Sequence, residues 1–242
     1  MMSTGLKAPP EDDAMIKLYY HPSPNPAKIA LFLEEAGLPY EMVPVDTRKG
    51  DQHKPEFLAI NPNAKTPALI DGDVTVFDSN AILLYLAEKT GKFLPEDTPK
   101  ARGEMLSWLM FVATGIGPYC GQAVHFGRFA PEKIPYAINR YAREAERHWG
   151  IIDERLKSRR YMLGDAYTLI DMSVWGWATR LSFAVGDHWG TMFPNVKRHT
   201  DEITARPAAQ RAMALKDQFA FKTEVDEEAR KFLFPQNAHL VG

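Results

Sequence analysis

The spacing of apolar residues changes along this chain and divides it in two. In the first third, short apolar runs stand between turn formers. Ile16 to Tyr20 is mostly apolar and ends in His21-Pro22-Ser23-Pro24-Asn25-Pro26, so it reads as a strand entering a turn. Pro26 suits the first position of a helix, with Asn25 as its N-cap. That helix runs through Ile29, Ala30, Leu31, Phe32 and Leu33 to a C-capping Gly37. Tyr40 to Val45 reads as a second strand and Pro55 to Ile60 as a short helix. Ala68 to Ile70 and Val74 to Val76 flank Asp71-Gly72, a pair that tolerates the positive φ of a tight hairpin turn. Asp78-Ser79 then opens a helix whose apolar face is Ala81, Ile82, Leu83, Leu84 and Leu86. The order is β-α-β-α-β-β-α over residues 15–93.

Residues 94–99 are rich in turn formers and form a linker. From Lys100 the period is helical, which predicts an all-α domain over residues 100–216 and a tail over 217–242 without clear period. Ala101 to Thr114 presents Leu106, Leu109, Met110 and Ala113 on one face, and Gly115-Ile116-Gly117-Pro118 should kink or break that helix. Ile134 to Leu156 is a highly charged helix. Thr168-Leu169-Ile170-Asp171 is a capping-box variant, with Tyr167 and Met172 placed as a hydrophobic staple, which makes Asp171 structural. Trp175, Trp177 and Leu181 extend a buried helix, and Pro194 to Ala205 gives another.

Composition narrows the function classes. Lysines plus arginines number 29 against 31 acids, so no basic field points to nucleic acid. No apolar run approaches a membrane span. Residues 1–14 lack the basic end and apolar core of a signal peptide and read as a disordered lead-in to a cytoplasmic protein. The single cysteine, Cys120, excludes an intrachain disulfide and fits a reducing compartment; beside a glycine it reads as a small buried hydrophobe. Seven histidines show no metal-ligand spacing, so no metal is expected.

The chemistry concentrates between Asn61 and Asn80. Pro67 starts a strand, and a cis Thr66-Pro67 bond would turn the Thr66 N–H and C=O outward as an edge for an extended peptide. The helix N-terminus at Asp78-Ser79 suits a carboxylate. Together they fit a small peptide with a carboxylate at one end.

Lys65-Thr66-Pro67, Asp78-Ser79 followed by Ala-Ile-Leu-Leu-Tyr-Leu-Ala-Glu, and the segment Ser23 to Leu38 resemble the glutathione transferase family, most closely its bacterial Nu-class and fungal Ure2p-like members. The resemblance spans about Met15 to Leu215. It implies a thioredoxin-like N-terminal domain followed by an all-helical one, a homodimer, and glutathione as co-substrate. Ser23 and Asn25 then fill the positions that approach the glutathione sulfur, although Ser23 also reads as a turn residue and Asn25 as a cap. Gln52 matches a contact to the glycine end of glutathione. Thr66 and Pro67 match its docking edge, Asp78 and Ser79 its γ-glutamyl site. Lys65 and Arg140 are further candidates for its carboxylates, each with an ordinary solvated reading beside it. Tyr119, His125, Phe126 and Phe129 are candidates for a second-substrate pocket, or are inter-helix core.

Two departures from other transferase classes matter. Tyr19 and Tyr20 precede the position of a reactive tyrosine, and no cysteine lies near the first turn. Because Ser23-Pro24-Asn25-Pro26 looks like the Nu and Ure2p-like group, the resemblance implies glutathione-dependent disulfide reductase or peroxidase activity in preference to conjugation to an electrophile. A glutathione-binding regulatory protein without turnover is the alternative from another class, disfavoured because residues 1–14 carry no long Gln/Asn-rich tract.

Overall fold

The computed structural model describes residues 15–240. The lead-in expected over residues 1–14 lies outside them. The first domain holds β1 (Ile16–Tyr20), α1 (Pro24–Ala36), β2 (Tyr40–Pro44), α2 (Pro55–Leu58), β3 (Ala68–Asp71), β4 (Val74–Phe77) and α3 (Ser79–Thr90), in the expected order. The sheet runs β2-β1-β3-β4, with β2 parallel to β1 and the β3–β4 hairpin antiparallel. Gly72 in the hairpin turn has φ 61°, the conformation that the Asp-Gly pair was expected to supply.

The helical domain holds α4 (Pro99–Phe111), α5 (Gly117–Val124), α6 (Pro135–Leu156), α7 (Leu169–Ala178), two single-turn helices α8 (Ser182–Val185) and α9 (Trp189–Met192), then α10 (Pro194–Thr204), α11 (Pro207–Ala214) and α12 (Glu227–Leu233). The expected break at Gly115–Pro118 is replaced by a change of pitch. Val112–Ile116 is π-helical, and the Gly117 N–H donates to the Val112 carbonyl five residues back. A wider turn accommodates Pro118, which has no N–H to give, and helical structure runs from α4 into α5 without a break. A second π-helical turn, His125–Phe129, ends α5.

One apolar core runs through both domains. Ile29, Ala30, Leu31, Phe32 and Leu33 of α1 are fully buried with Leu18, Leu69, Ile82 and Leu86 on one side and Leu169, Met172 and Ala209 on the other. Each fully buried Leu, Ile, Phe or Met side chain among these contributes about 1.5–3 kcal/mol. Arg206 pairs with Glu35, and Arg211 donates to Glu34 at 2.6 Å, tying α11 to the last turns of α1.

The capping box of α7 forms as expected. Asp171 is fully buried and accepts from the Thr168 N–H (2.8 Å), the Thr168 hydroxyl (3.0 Å), the Met162 N–H (2.7 Å) and His199 (2.9 Å). All its bonds go to backbone or structural side chains, which makes it a folding residue.

Gly176 sets how closely α7 approaches α1. A Cβ there would lie 2.6 Å from the Pro24 carbonyl and 3.2 Å from the Lys28 Cβ, and a backbone oxygen cannot swing aside. Gly176→Ala is therefore expected to destabilise the fold by about 1–3 kcal/mol through overpacking. Urea unfolding checks this; a variant of unchanged stability would show that the helices do not meet this tightly.

Candidate active site at the N-termini of two helices

The strand register gathers the candidate residues at one end of the sheet. Tyr19 pairs with Ala68, Ala68 with Phe77, and Tyr20 with Pro44. Consequently the turn after β1 (Ser23, Asn25), the residues before β3 (Lys65, Thr66, Pro67), those after β4 (Asp78, Ser79) and the loop after β2 that leads to Gln52 all leave the sheet on the same side. Ligands bind in such a crevice beyond the strand ends in open α/β sheets. The Thr66–Pro67 bond is cis. Thr66 is half-buried and Lys65 exposed.

The start of α1 differs from the expected one. The helix begins at Pro24, and Ser23 is its N-cap in extended conformation (φ −137°, ψ 167°), so Asn25 lies inside the first turn and caps nothing. Both Pro24 and Pro26 fit there because N–H groups of a first turn have no helical partner in any case. The Ser23 side chain makes no cap bond, which leaves its hydroxyl available at the mouth of the turn.

At α3, Asp78 caps with its side chain, Oδ1 accepting from the Asn80 N–H (2.8 Å) and the Ala81 N–H (3.2 Å), while its backbone sits at φ 69°. Ser79 is buried in the first position of the helix. The N-termini of α1 and α3 thus flank one crevice, and both favour negative charge.

Behind this crevice lies Lys28, which the sequence reading missed. Its side chain is fully buried; Nζ donates to Asn80 Oδ1 at 3.1 Å and reaches Ser173 Oγ at 3.5 Å, while the Ser173 hydroxyl donates to the same Asn80 oxygen at 2.6 Å. The available signal was a lone lysine between Ala27 and Ile29 on an otherwise apolar helix face. Burial pulls its ammonium down to about 7, against the upward pull of Asp78.

Gln52 is buried. Its Nε2 donates to the Thr47 carbonyl at 3.1 Å and the Phe232 carbonyl at 2.9 Å, and its Oε1 has no partner among the described residues. His53 Nε2 approaches the same Phe232 carbonyl at 2.8 Å.

The remaining candidates separate. Arg140 is exposed on α6 and bonds Glu144 at 2.7 Å. Tyr119 packs on Tyr141 and His148, and Phe126 stacks on Tyr141 at 5.3 Å. His125 and Phe129 lie under Phe234, at 4.5 and 5.9 Å between ring centres. A different cleft, of about 190 Å³, opens beside Ser23; its walls include Tyr20, Pro22, Trp175 and Met213, and it carries Arg180 and Lys216. Cys120 is buried away from this site; burial pushes its thiol up to about 12, and the Trp149 N–H donates to its sulfur at 3.1 Å. No group of metal-ligating side chains occurs among the described residues.

Residues 14–88 match the glutathione S-transferase N-terminal domain and residues 135–211 its C-terminal domain. The Escherichia coli disulfide-bond oxidoreductase YfcG is 42% identical over 211 residues, covering 82% of this chain and 94% of that protein. A Burkholderia graminis glutathione transferase, solved with two glutathione molecules bound per subunit, is 38% identical with a TM-score of 0.76, covering 83% of this chain and 88% of that one. A Pseudomonas putida glutathione transferase, solved with one glutathione disulfide per subunit, is 34% identical with a TM-score of 0.77, covering 85% and 93%.

Lys28 has a consequence that pH reveals. Below pH 7 it is protonated in both the folded and the unfolded chain. Between about 7 and the ordinary 10.5 the unfolded chain holds a proton that the folded chain lacks, so its contribution to stability rises with pH across that window. Relative to Lys28→Met, the wild type should gain stability from pH 7 to pH 10 in urea unfolding. A difference that stays flat would mean that the ammonium remains charged inside the fold.

Proposed function

The chain belongs to the glutathione S-transferase family, and from that premise we propose that it is a glutathione-dependent disulfide reductase whose Ser23 and Asn25 activate the bound thiol. The observation that carries the reading is the uncapped Ser23 hydroxyl beside Asn25 at the N-terminus of α1, with the chain's single thiol buried elsewhere. The names and bound ligands of the relatives support it.

In this reading the γ-glutamyl carboxylate of glutathione meets the hydroxyl and N–H of Ser79, since the Asn80 and Ala81 N–H groups already donate to Asp78, whose carboxylate faces the α-amino group. The cysteinyl unit pairs with the Thr66 backbone beside cis-Pro67, and the glycine end points toward Gln52. The sulfur then reaches Ser23 and Asn25. A thiol ordinarily titrates near 8.5, and each unit of depression corresponds to about 1.4 kcal/mol of preference for the anion. One or two donors aided by the helix dipole supply that.

The thiolate attacks one sulfur of a disulfide, forming a mixed disulfide and releasing the other half as a thiolate. A second glutathione thiolate attacks the glutathione sulfur of that mixed disulfide. Two thiols are oxidised to glutathione disulfide and one disulfide is reduced, without an enzyme cysteine. The cleft beside Ser23 is placed to take the second partner, and Arg180 and Lys216 suit one that carries carboxylates. Its apolar walls favour a second reading, conjugation to an apolar electrophile through the same thiolate; the ratio of the two activities decides between them.

The working protein is taken to be a cytoplasmic homodimer. The lone reduced cysteine and the habit of the family support this, and no described helix is long and apolar enough to cross a membrane.

Ser23→Ala and Asn25→Ala should each remove a hydrogen bond to the thiolate worth about 1.5–3 kcal/mol, lowering disulfide-reductase turnover about 10- to 100-fold. Neither side chain caps α1, so unfolding free energies should stay within about 0.5 kcal/mol of wild type. Steady-state kinetics with hydroxyethyl disulfide, beside urea unfolding, check both. Turnover untouched in both variants would leave the helix amides as the activator and overturn these roles.

A further inference from the structure

The segment from Phe219 to Asn237 crosses the open side of the first domain and ends against the helical one. At its start, the Lys222 N–H donates to Asp46 at 2.8 Å, Arg48 donates to the Lys222 carbonyl at 2.7 Å, and the Phe221 ring meets His21 edge-on at 5.3 Å. Asp226 caps α12 by accepting from the Ala229 N–H at 2.8 Å. The Phe232 ring lies on Gly50, where a Cβ would come within 2.6 Å of it. Beyond α12, Phe234 covers His125 and Phe129.

The decisive contact is the Phe232 carbonyl. It accepts from Gln52 at 2.9 Å and faces His53 Nε2 at 2.8 Å, taking up adjacent donors on the loop that faces the expected glycine end of glutathione. We propose that this segment is a strap that competes with glutathione: the Phe232 carbonyl occupies the place of the glycine carboxylate, and seating of the strap and full docking of the tripeptide exclude each other. The inference rests on the reading that Gln52 faces the glycine end.

The energetics permit exchange in both directions. A carboxylate on Gln52 and His53 makes charge-assisted bonds, roughly twice as strong as those to a neutral carbonyl, so the ligand is able to displace the strap. α12 is only seven residues long, far below the length at which a helix is stable by itself, so it holds its shape only while it is docked. Apparent affinity is the intrinsic affinity scaled by the open fraction, so a strap closed ten times out of eleven weakens glutathione binding about tenfold. The strap also screens two aromatic side chains of the helical domain, so its release would expose them together with the glycine-end donors.

The test uses the full chain with Phe232→Ala and Phe234→Ala combined, two changes that loosen the strap without touching Ser23, Asn25, Thr66 or Ser79. Calorimetric titration should show glutathione bound about tenfold tighter by the variant, and γ-glutamylcysteine, which stops short of Gln52, bound within about twofold of wild type. In the unaltered protein, saturating glutathione should speed amide hydrogen exchange over residues 222–234, a measurement that does not depend on the variant folding well. Glutathione bound equally by both proteins, or slower exchange over 222–234 on binding, overturns the strap and leaves the glutathione reading standing. No binding of glutathione to either protein overturns both.

Discussion

A buried lysine is the constraint on which the rest of the arrangement depends. Lys28 projects from α1 into the seam between the domains and holds Asn80 of α3, with Ser173 of α7 completing the knot. An ammonium in an apolar core is costly unless its donors find partners, and the partners found here come from both domains. Satisfying that one group therefore fixes α1 against α3 and both against α7. Gly176 removes the side chain that would hold α7 and α1 apart. The two helix N-termini that define the crevice are consequently set by the core beneath them.

The chemistry follows from where those N-termini point. The first turn of α1 brings together the Ser23 hydroxyl, which caps nothing, and Asn25, whose N–H is the one amide there between two prolines; in the proposed reading these groups meet the thiolate. In that proposal none of these groups changes charge or forms a bond; the protein would contribute position and electrostatic preference, and the tripeptide the reactive atom. Cys120 belongs to a different economy. It is a packing residue whose thiol is held neutral by burial.

Local patterning carried much of this fold. The Asp-Gly hairpin, the cis-proline strand start, the Asp78 cap and the Thr168–Asp171 capping box are signals within a few residues of one another, and each appears where its spacing placed it. What stayed hidden depends on contacts far apart in sequence. Asn25 read as the cap from its place before Pro26, whereas the helix starts two residues earlier, at Pro24, whose carbonyl packs against Gly176 of α7. Pro118 looked like a helix breaker because sequence shows its missing N–H but not the π turn that accommodates it. Nothing in the sequence around Gln52 reveals that residues near Phe232 cover it. α12 has few apolar positions of its own and takes its order from the loop it rests on.

The central claim is that the glutathione sulfur is held at the N-terminus of α1 by Ser23 and Asn25, with no enzyme thiol taking part. A crystal structure with bound glutathione disulfide tests this most directly. The account predicts one γ-glutamyl carboxylate on the hydroxyl and N–H of Ser79, the neighbouring cysteinyl backbone on Thr66, a sulfur within about 3.5 Å of Ser23 Oγ or the Asn25 side chain, and the second half of the disulfide directed toward Arg180 and Lys216. A disulfide bound with both sulfurs out of reach of Ser23 and Asn25, or with its γ-glutamyl end away from α3, would contradict it.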